Sequence, residues 1–142
     1  MIEYNKVFVD TAPFIYFLDD DPNFGQKTKA IFTEILKEHK VMVSSVITCE
    51  EYLIYPYRTN NIEKENVFFE FINDCGIEIY QTSLEIAKKA AKIRAEYVNF
   101  KSMDAIQLAT AEHTGCDLFL TNDSQLKQFQ NVKCITLDEW II

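Results

Sequence analysis

The sequence predicts an α/β fold with a central, mostly parallel sheet. Short β-branched and aromatic runs alternate along the chain with longer stretches of helical pattern. Apolar residues in the longer stretches recur at helix-like intervals, as in Ile86-Ala90-Ile93-Tyr97 and Ile106-Ala109-Ala111-His113. Parallel neighbours need helical crossovers, so strands that alternate with helices imply a parallel sheet.

Val7-Phe8-Val9 is the first expected strand. A helix is expected over residues 22–38, with Asp21 before Pro22 as its start signal. Val41-Met42-Val43 is the second strand, followed by helices over 46–58 and 62–74. Gly76 fits a helix stop, and Ile77-Glu78-Ile79-Tyr80 is the third strand. Ser83 opens a helix over 84–97, and Ser102 opens another over 103–113 that ends before Gly115. Leu118-Phe119-Leu120 and Val132-Lys133-Cys134-Ile135 complete the strands. Two aromatic-rich runs, Phe14 to Leu18 and Val67 to Ile72, read mainly as core, with any excess left for a homodimer face or a partner groove. The run Asp19-Asp20-Asp21 reads as a solvated turn and helix cap.

With 142 residues, 48% of them hydrophobic and 25% charged, residues 1–142 are expected to form a single domain. No apolar run approaches the ~20 residues of a membrane span. The N-terminus lacks a basic segment followed by an apolar stretch, so a cytoplasmic location is expected. Cys49, Cys75, Cys116 and Cys134 form no C-x-x-C pair, and His39 and His113 are remote from them, which argues for reduced thiols rather than zinc. Fourteen bases against 22 acids give a net charge of −8. That balance disfavours a nonspecific nucleic-acid binder and leaves carboxylates that are either solvated or gathered around cations.

The positions of the acids favour the second possibility. Ligands of open α/β sheets sit beyond the carboxyl ends of the strands. Asp10 directly follows the first strand, and Asp123 follows Leu118-Phe119-Leu120 by Thr121-Asn122. Asp104 lies in the first turn of its helix; Glu50 and Glu51 lie early in the helix after Ser44-Ser45. Individually each acid has an ordinary role as a cap or a first-turn residue. Together they would repel unless cations were bound between them. Oxygen ligands without His or Cys suit Mg²⁺ or Mn²⁺, whose remaining coordination sites go to water and phosphate oxygens, so phosphodiester hydrolysis is the natural chemistry. Helical periodicity does not separate Glu50 from Glu51.

These segments resemble the PIN-domain family of Mg²⁺-dependent ribonucleases, which includes the VapC-type toxins of toxin–antitoxin pairs. Val7-Phe8-Val9-Asp10-Thr11 is similar to the family's opening strand and first aspartate. Ser45-Val46-Ile47-Thr48-Cys49-Glu50-Glu51 resembles its S-x-x-T-x-x-E segment, which selects Glu51. Ser102 to Ala111 is similar to the helix carrying the third acid, and Leu118 to Asp123 to the strand ending in T-N-D. The resemblance implies a three-layer α/β/α sandwich, endonucleolytic cleavage of RNA, and Asp10, Glu51, Asp104 and Asp123 as catalytic metal ligands. It further implies that Thr11, Thr121 and Asn122 orient the acids, that the protein dimerises, and that a protein antitoxin neutralises it.

Lys88, Lys89, Lys92, Arg94 and Lys101 stand against one acid, Glu96, in residues 88–101. Arg58, Arg94 and Lys101 are the candidates for RNA phosphate contacts. Two other functions remain open from sequence. A receiver-like phosphoacceptor would want adjacent acids after the first strand and a Lys after a late one, whereas Thr11-Ala12-Pro13 follows Asp10. A PIN-like interaction module without catalysis has no need of four costly acids.

Overall fold

The computed structural model describes residues 2–142. Five strands pair in the order β3-β2-β1-β4-β5, and every pair is parallel. They are β1 (Lys6–Val9), β2 (Val41–Ser45), β3 (Glu78–Tyr80), β4 (Leu118–Thr121) and β5 (Lys133–Thr136). The helices are α1 (Thr11–Leu18), α2 (Gly25–Lys37), α3 (Val46–Arg58), α4 (Ile62–Asp74), α5 (Leu84–Glu96) and α6 (Ser102–His113). Short 3₁₀ turns follow β4 at Ser124–Gln128 and β5 at Leu137–Glu139.

Side chains that alternate along the strands divide the core into two layers. Val7, Val9, Met42, Leu118, Leu120 and Ile135 pack with Phe14, Ile31, Phe32, Tyr52 and Phe68 from α1 to α4. Phe8, Val43, Phe119 and Cys134 face the other way, onto Ile86, Ala90 and Ile93 of α5 and Ala105, Leu108 and Ala109 of α6. Phe8 and Phe119 stack across β1 and β4 at 5.0 Å between ring centroids. With helices on both faces, the strands read as continuous apolar runs, and the result is the expected three-layer α/β/α sandwich.

Three elements differ from the sequence expectation. Thr11–Leu18 is a helix, although its apolar residues show no polar face; Pro13 is tolerated because first-turn N–H groups have no partner within a helix. Helix α2 begins at Gly25, not Pro22. The Asp21 carboxylate instead accepts the Asn23 and Phe24 N–H groups at 2.9 and 2.8 Å, holding a turn ahead of the helix. Ser102 is the first residue of α6 rather than its cap; Lys101 takes the cap position with no side-chain bond, and the Ser102 hydroxyl accepts from Arg94. Gly76 and Gly115 do end helices, at φ +64° and +74°. All four cysteines are free, and Cys116 and Cys134 are buried. Among the described residues no helix is long and apolar enough to cross a membrane.

The connection after β1 leads to one side of the sheet and that after β4 to the other. The carboxyl ends of these adjacent strands therefore border the crevice where such sheets bind ligands.

Candidate active site

Asp10 ends β1 and Asp123 follows β4, at the carboxyl ends of these two adjacent strands. The extended Asp10 backbone ends β1 and caps α1, and its Oδ1 accepts the Thr11 N–H at 2.9 Å. The Thr121 hydroxyl, from the last residue of β4, donates to Asp10 Oδ2 at 2.9 Å and accepts the Asp123 N–H at 3.1 Å. The Asp123 carboxylate in turn accepts the Gln125 N–H at 3.0 Å, fixing the following 3₁₀ turn. Asp123 is thus an N-cap that Thr121 also links to Asp10.

Glu51 comes from α3, which Ser45 starts by accepting the Ile47 N–H. The buried Thr11 hydroxyl donates to Glu51 Oε1 at 2.6 Å. Its neighbour Glu50 is fully on the exposed side of the helix. Of the two glutamates that helical periodicity does not separate, Glu51 is the one that Thr11, the residue after Asp10, bonds. Asp104 enters in the first turn of α6.

The four acids act on one another electrostatically. Burial pushes the Asp10 carboxyl up to about 6, with the Asp104 and Glu51 charges adding to the rise and the Thr11 and Thr121 hydrogen bonds opposing it. Asp104 is raised by burial and then by Asp123 and Glu51, while the Lys101 ammonium pulls it down. Among the described residues no three Asp, Glu, His or Cys side chains are drawn together tightly enough to enclose an ion. The acids instead influence one another through their charges, Asp10 with Glu51 and Asp104, and Asp104 with Asp123. Mg²⁺ is ordinarily bound by one or two carboxylates together with waters and substrate phosphates rather than by an all-protein cage, and this all-oxygen set fits that habit.

Two of the three expected orienting residues do touch acids: Thr11 holds Glu51 and Thr121 holds Asp10. Asn122 does not. Its amide donates to the Tyr16 hydroxyl at 2.9 Å, because the turn after β4 faces α1 at this point. The basic candidates also divide. Lys101 is exposed and within electrostatic reach of Asp104. Arg94 is already engaged, with Nε donating to Phe100 O at 3.0 Å and a terminal nitrogen donating to Ser102 Oγ at 2.9 Å, so it braces the α5–α6 connection. Arg58 lies at the far end of α3, seven residues past Glu51 and about 10 Å along the axis. Lys89 pairs with Glu112 at 3.4 Å.

A buried polar layer under the acids carries no role in the sequence reading. Ser44, Ser45, Thr48 and Gln107 are all 1% exposed or less. Thr48 Oγ1 lies 2.8 Å from Ser44 Oγ, and Gln107 reaches Thr48, Ser45 and Asp10. The sequence signals were a polar pair ending an apolar strand and an amide on the apolar stripe of α6.

Comparison with known proteins agrees with this architecture. Twenty-nine chains of solved structures match it significantly. One is VapBC2 from Rickettsia felis bound to a promoter DNA fragment, at a TM-score of 0.76 and 14% identity over 92% of this chain and 98% of that one. Another is a toxin–antitoxin complex from Klebsiella pneumoniae, at 0.70 and 20% over 92% and 97%. A third is VapC20 from Mycobacterium tuberculosis, described as a sarcin–ricin loop cleaving toxin, at 0.65 and 15% over 89% and 98%. No curated protein matches by sequence. Residues 7–132 match the family model of the PIN domain, and with the strand order and crevice described above the chain belongs to the PIN domain family.

Proposed function

We propose that the protein is a Mg²⁺- or Mn²⁺-dependent endoribonuclease, acting as the toxin of a toxin–antitoxin pair. The observation that carries this reading is the convergence of carboxylates from β1, α3, α6 and the β4 turn, with Thr121 bonded to Asp10 and to the Asp123 N–H and Thr11 bonded to Glu51, and with burial first and neighbouring acids second raising Asp10 and Asp104. A cluster that costs stability in this way has a use when positive charge enters it. Asp10, Glu51, Asp104 and Asp123 would hold the divalent ion, directly or through water. When bound, the ion supplies charge against the phosphodiester and activates water for in-line attack.

The remaining work falls to the chain itself. Thr121 fixes Asp10 and Thr11 fixes Glu51, so both carboxylates would be held in place to receive the ion. The exposed Lys101, beside Asp104, is suited to receive a backbone phosphate next to the scissile bond. Arg58 and the free edge of Arg94 are secondary phosphate contacts, more distant from the acids. The acidic remainder of the surface repels RNA that lacks such contacts, which favours selective over general cleavage.

Supporting the toxin assignment, the similar structures include toxin–antitoxin complexes. Exposed apolar side chains suit a homodimer face and an antitoxin groove: Val67 and Phe69 on α4, and Tyr55 and Tyr57 on α3. The deciding experiment incubates purified protein with structured RNA in Mg²⁺ or EDTA, alongside Asp10→Asn and Asp104→Asn. Wild-type cleavage in Mg²⁺ alone, lost in both folded variants, is expected. Undiminished cleavage by the variants refutes the assignment of the acids, and intact RNA under every condition refutes the nuclease.

A further inference from the structure

Four carboxylates account for the crevice itself but leave one buried amide beneath them unexplained. Gln107 is 1% exposed, one turn past Asp104 on α6, with Leu108 and Ala111 beside it in the core. A primary amide has two donor positions and two lone pairs, and burying it is costly unless they are matched. Its partners come from the strand and helix that build the site. Oε1 accepts the Ser45 hydroxyl, while Nε2 donates to Thr48 Oγ1 at 2.8 Å and to Asp10 Oδ1 at 3.4 Å.

The orientation of this amide is fixed by groups below it. Ser45 Oγ accepts the Ile47 N–H, which leaves its own proton to give to Gln107. Ser44 Oγ lies 2.8 Å from the Val9 carbonyl, which can only accept, so the single Ser44 proton is committed there. Thr48 then turns its proton to Ser44 and its lone pair to Gln107. Rotating the amide by half a turn would set Oε1 against the Asp10 carboxylate and Nε2 against the Ser45 proton. The backbone of β1 and the start of α3 thus dictate that a donor faces Asp10.

We propose that Gln107 is a positioning residue for the metal centre. It holds Asp10 Oδ1 from below and ties α6, which carries Asp104, to the β2–α3 junction, which leads to Glu51. The proposal rests on the divalent-cation reading given above. The other polar tie between β1 and α6, from the Lys6 ammonium to the Thr114 carbonyl, holds the far end of the helix, so without this amide the Asp104 end loses its bonds to Asp10 and to the β2–α3 junction. Partners that orient metal ligands commonly change affinity by 10- to 100-fold when removed.

The test is calorimetric titration of the full chain with Mn²⁺ at one fixed pH, with no RNA present. Gln107→Met keeps the length of the side chain and removes the amide. Leu108→Met alters the same buried surface of α6 without touching the acids. Gln107→Met is expected to bind Mn²⁺ about 10-fold more weakly than wild type, and Leu108→Met within twofold of it. Gln107→Asn, too short to reach Ser45 and Asp10 together, is expected to show the same loss and serves if Gln107→Met fails to fold. Unchanged Mn²⁺ affinity in a folded Gln107 variant, or an equal loss in Leu108→Met, overturns the positioning role and leaves the metal reading standing. Failure of wild type to bind Mn²⁺ overturns the metal reading, and this proposal with it.

Discussion

Replacing Asp10 by Asn tests the electrostatic argument independently of any catalysis. The Asp10 carboxyl is raised from its ordinary 3.8 to about 6 in the fold, first by burial and then by its acidic neighbours. At about 1.4 kcal/mol for each tenfold change, that difference corresponds to about 3 kcal/mol of native-state penalty once the group is ionised. The sign follows from the order of the two values. Well below pH 3.8 both folded and unfolded chains carry the proton and no penalty exists. Between pH 4 and 6 the unfolded chain ionises first, so stability falls, and above 6 the full penalty is present. Asparagine removes the charge, keeps an oxygen for the Thr11 N–H, and lets Thr121 turn to accept from the new amide. Allowing for imperfect bonding there, Asp10→Asn should gain about 1–3 kcal/mol at pH 7.5 in EDTA, and no more than about 0.5 kcal/mol at pH 4. Urea unfolding followed by fluorescence of Trp140, the single tryptophan and 2% exposed, measures both. No gain at pH 7.5, or an equal gain at pH 4, refutes the reasoning. Adding Mg²⁺ should close the gap from the other side, stabilising wild type and leaving the variant unmoved.

Other expectations follow from single contacts. Thr121→Val removes the hydroxyl on Asp10 Oδ2 and should weaken Mn²⁺ binding about 10-fold, measured by calorimetry. Lys101→Ala should lower RNA affinity and reduce the slope of log affinity against log salt by about one, whereas Arg58→Ala should change the slope less. Phe14→Ala, which empties the fully buried contact between α1, α2 and α4, should cost about 3–5 kcal/mol in urea unfolding.

The sheet was legible because its central strands are buried on both faces and all five stand out as short β-branched and aromatic runs between helical stretches. Helices α3 and α4 fall at the expected bounds, and the structure shows Ser45 and Asn61 capping their starts with their own side chains. Helix α1 was hidden, because Phe14, Phe17 and their neighbours pack into an all-aromatic cluster and leave no polar stripe to reveal the period. The Ser102 expectation failed for a tertiary reason: Arg94, eight residues earlier, occupies the hydroxyl that would have capped α6. Placing Asp10 and Asp123 at strand ends needs only the local pattern. That Asn122 turns to Tyr16, and that Gln107 lies under Asp10, depends on contacts across 106 and 97 residues, which no local pattern encodes.

Crystals of the protein grown or soaked with Mn²⁺ and measured at the manganese edge test the central claim most directly. An anomalous peak in the crevice, coordinated by oxygens of at least two of Asp10, Glu51, Asp104 and Asp123, is the predicted result. Saturating Mn²⁺ with no peak there, or with ordered manganese only elsewhere on the molecule, would contradict it.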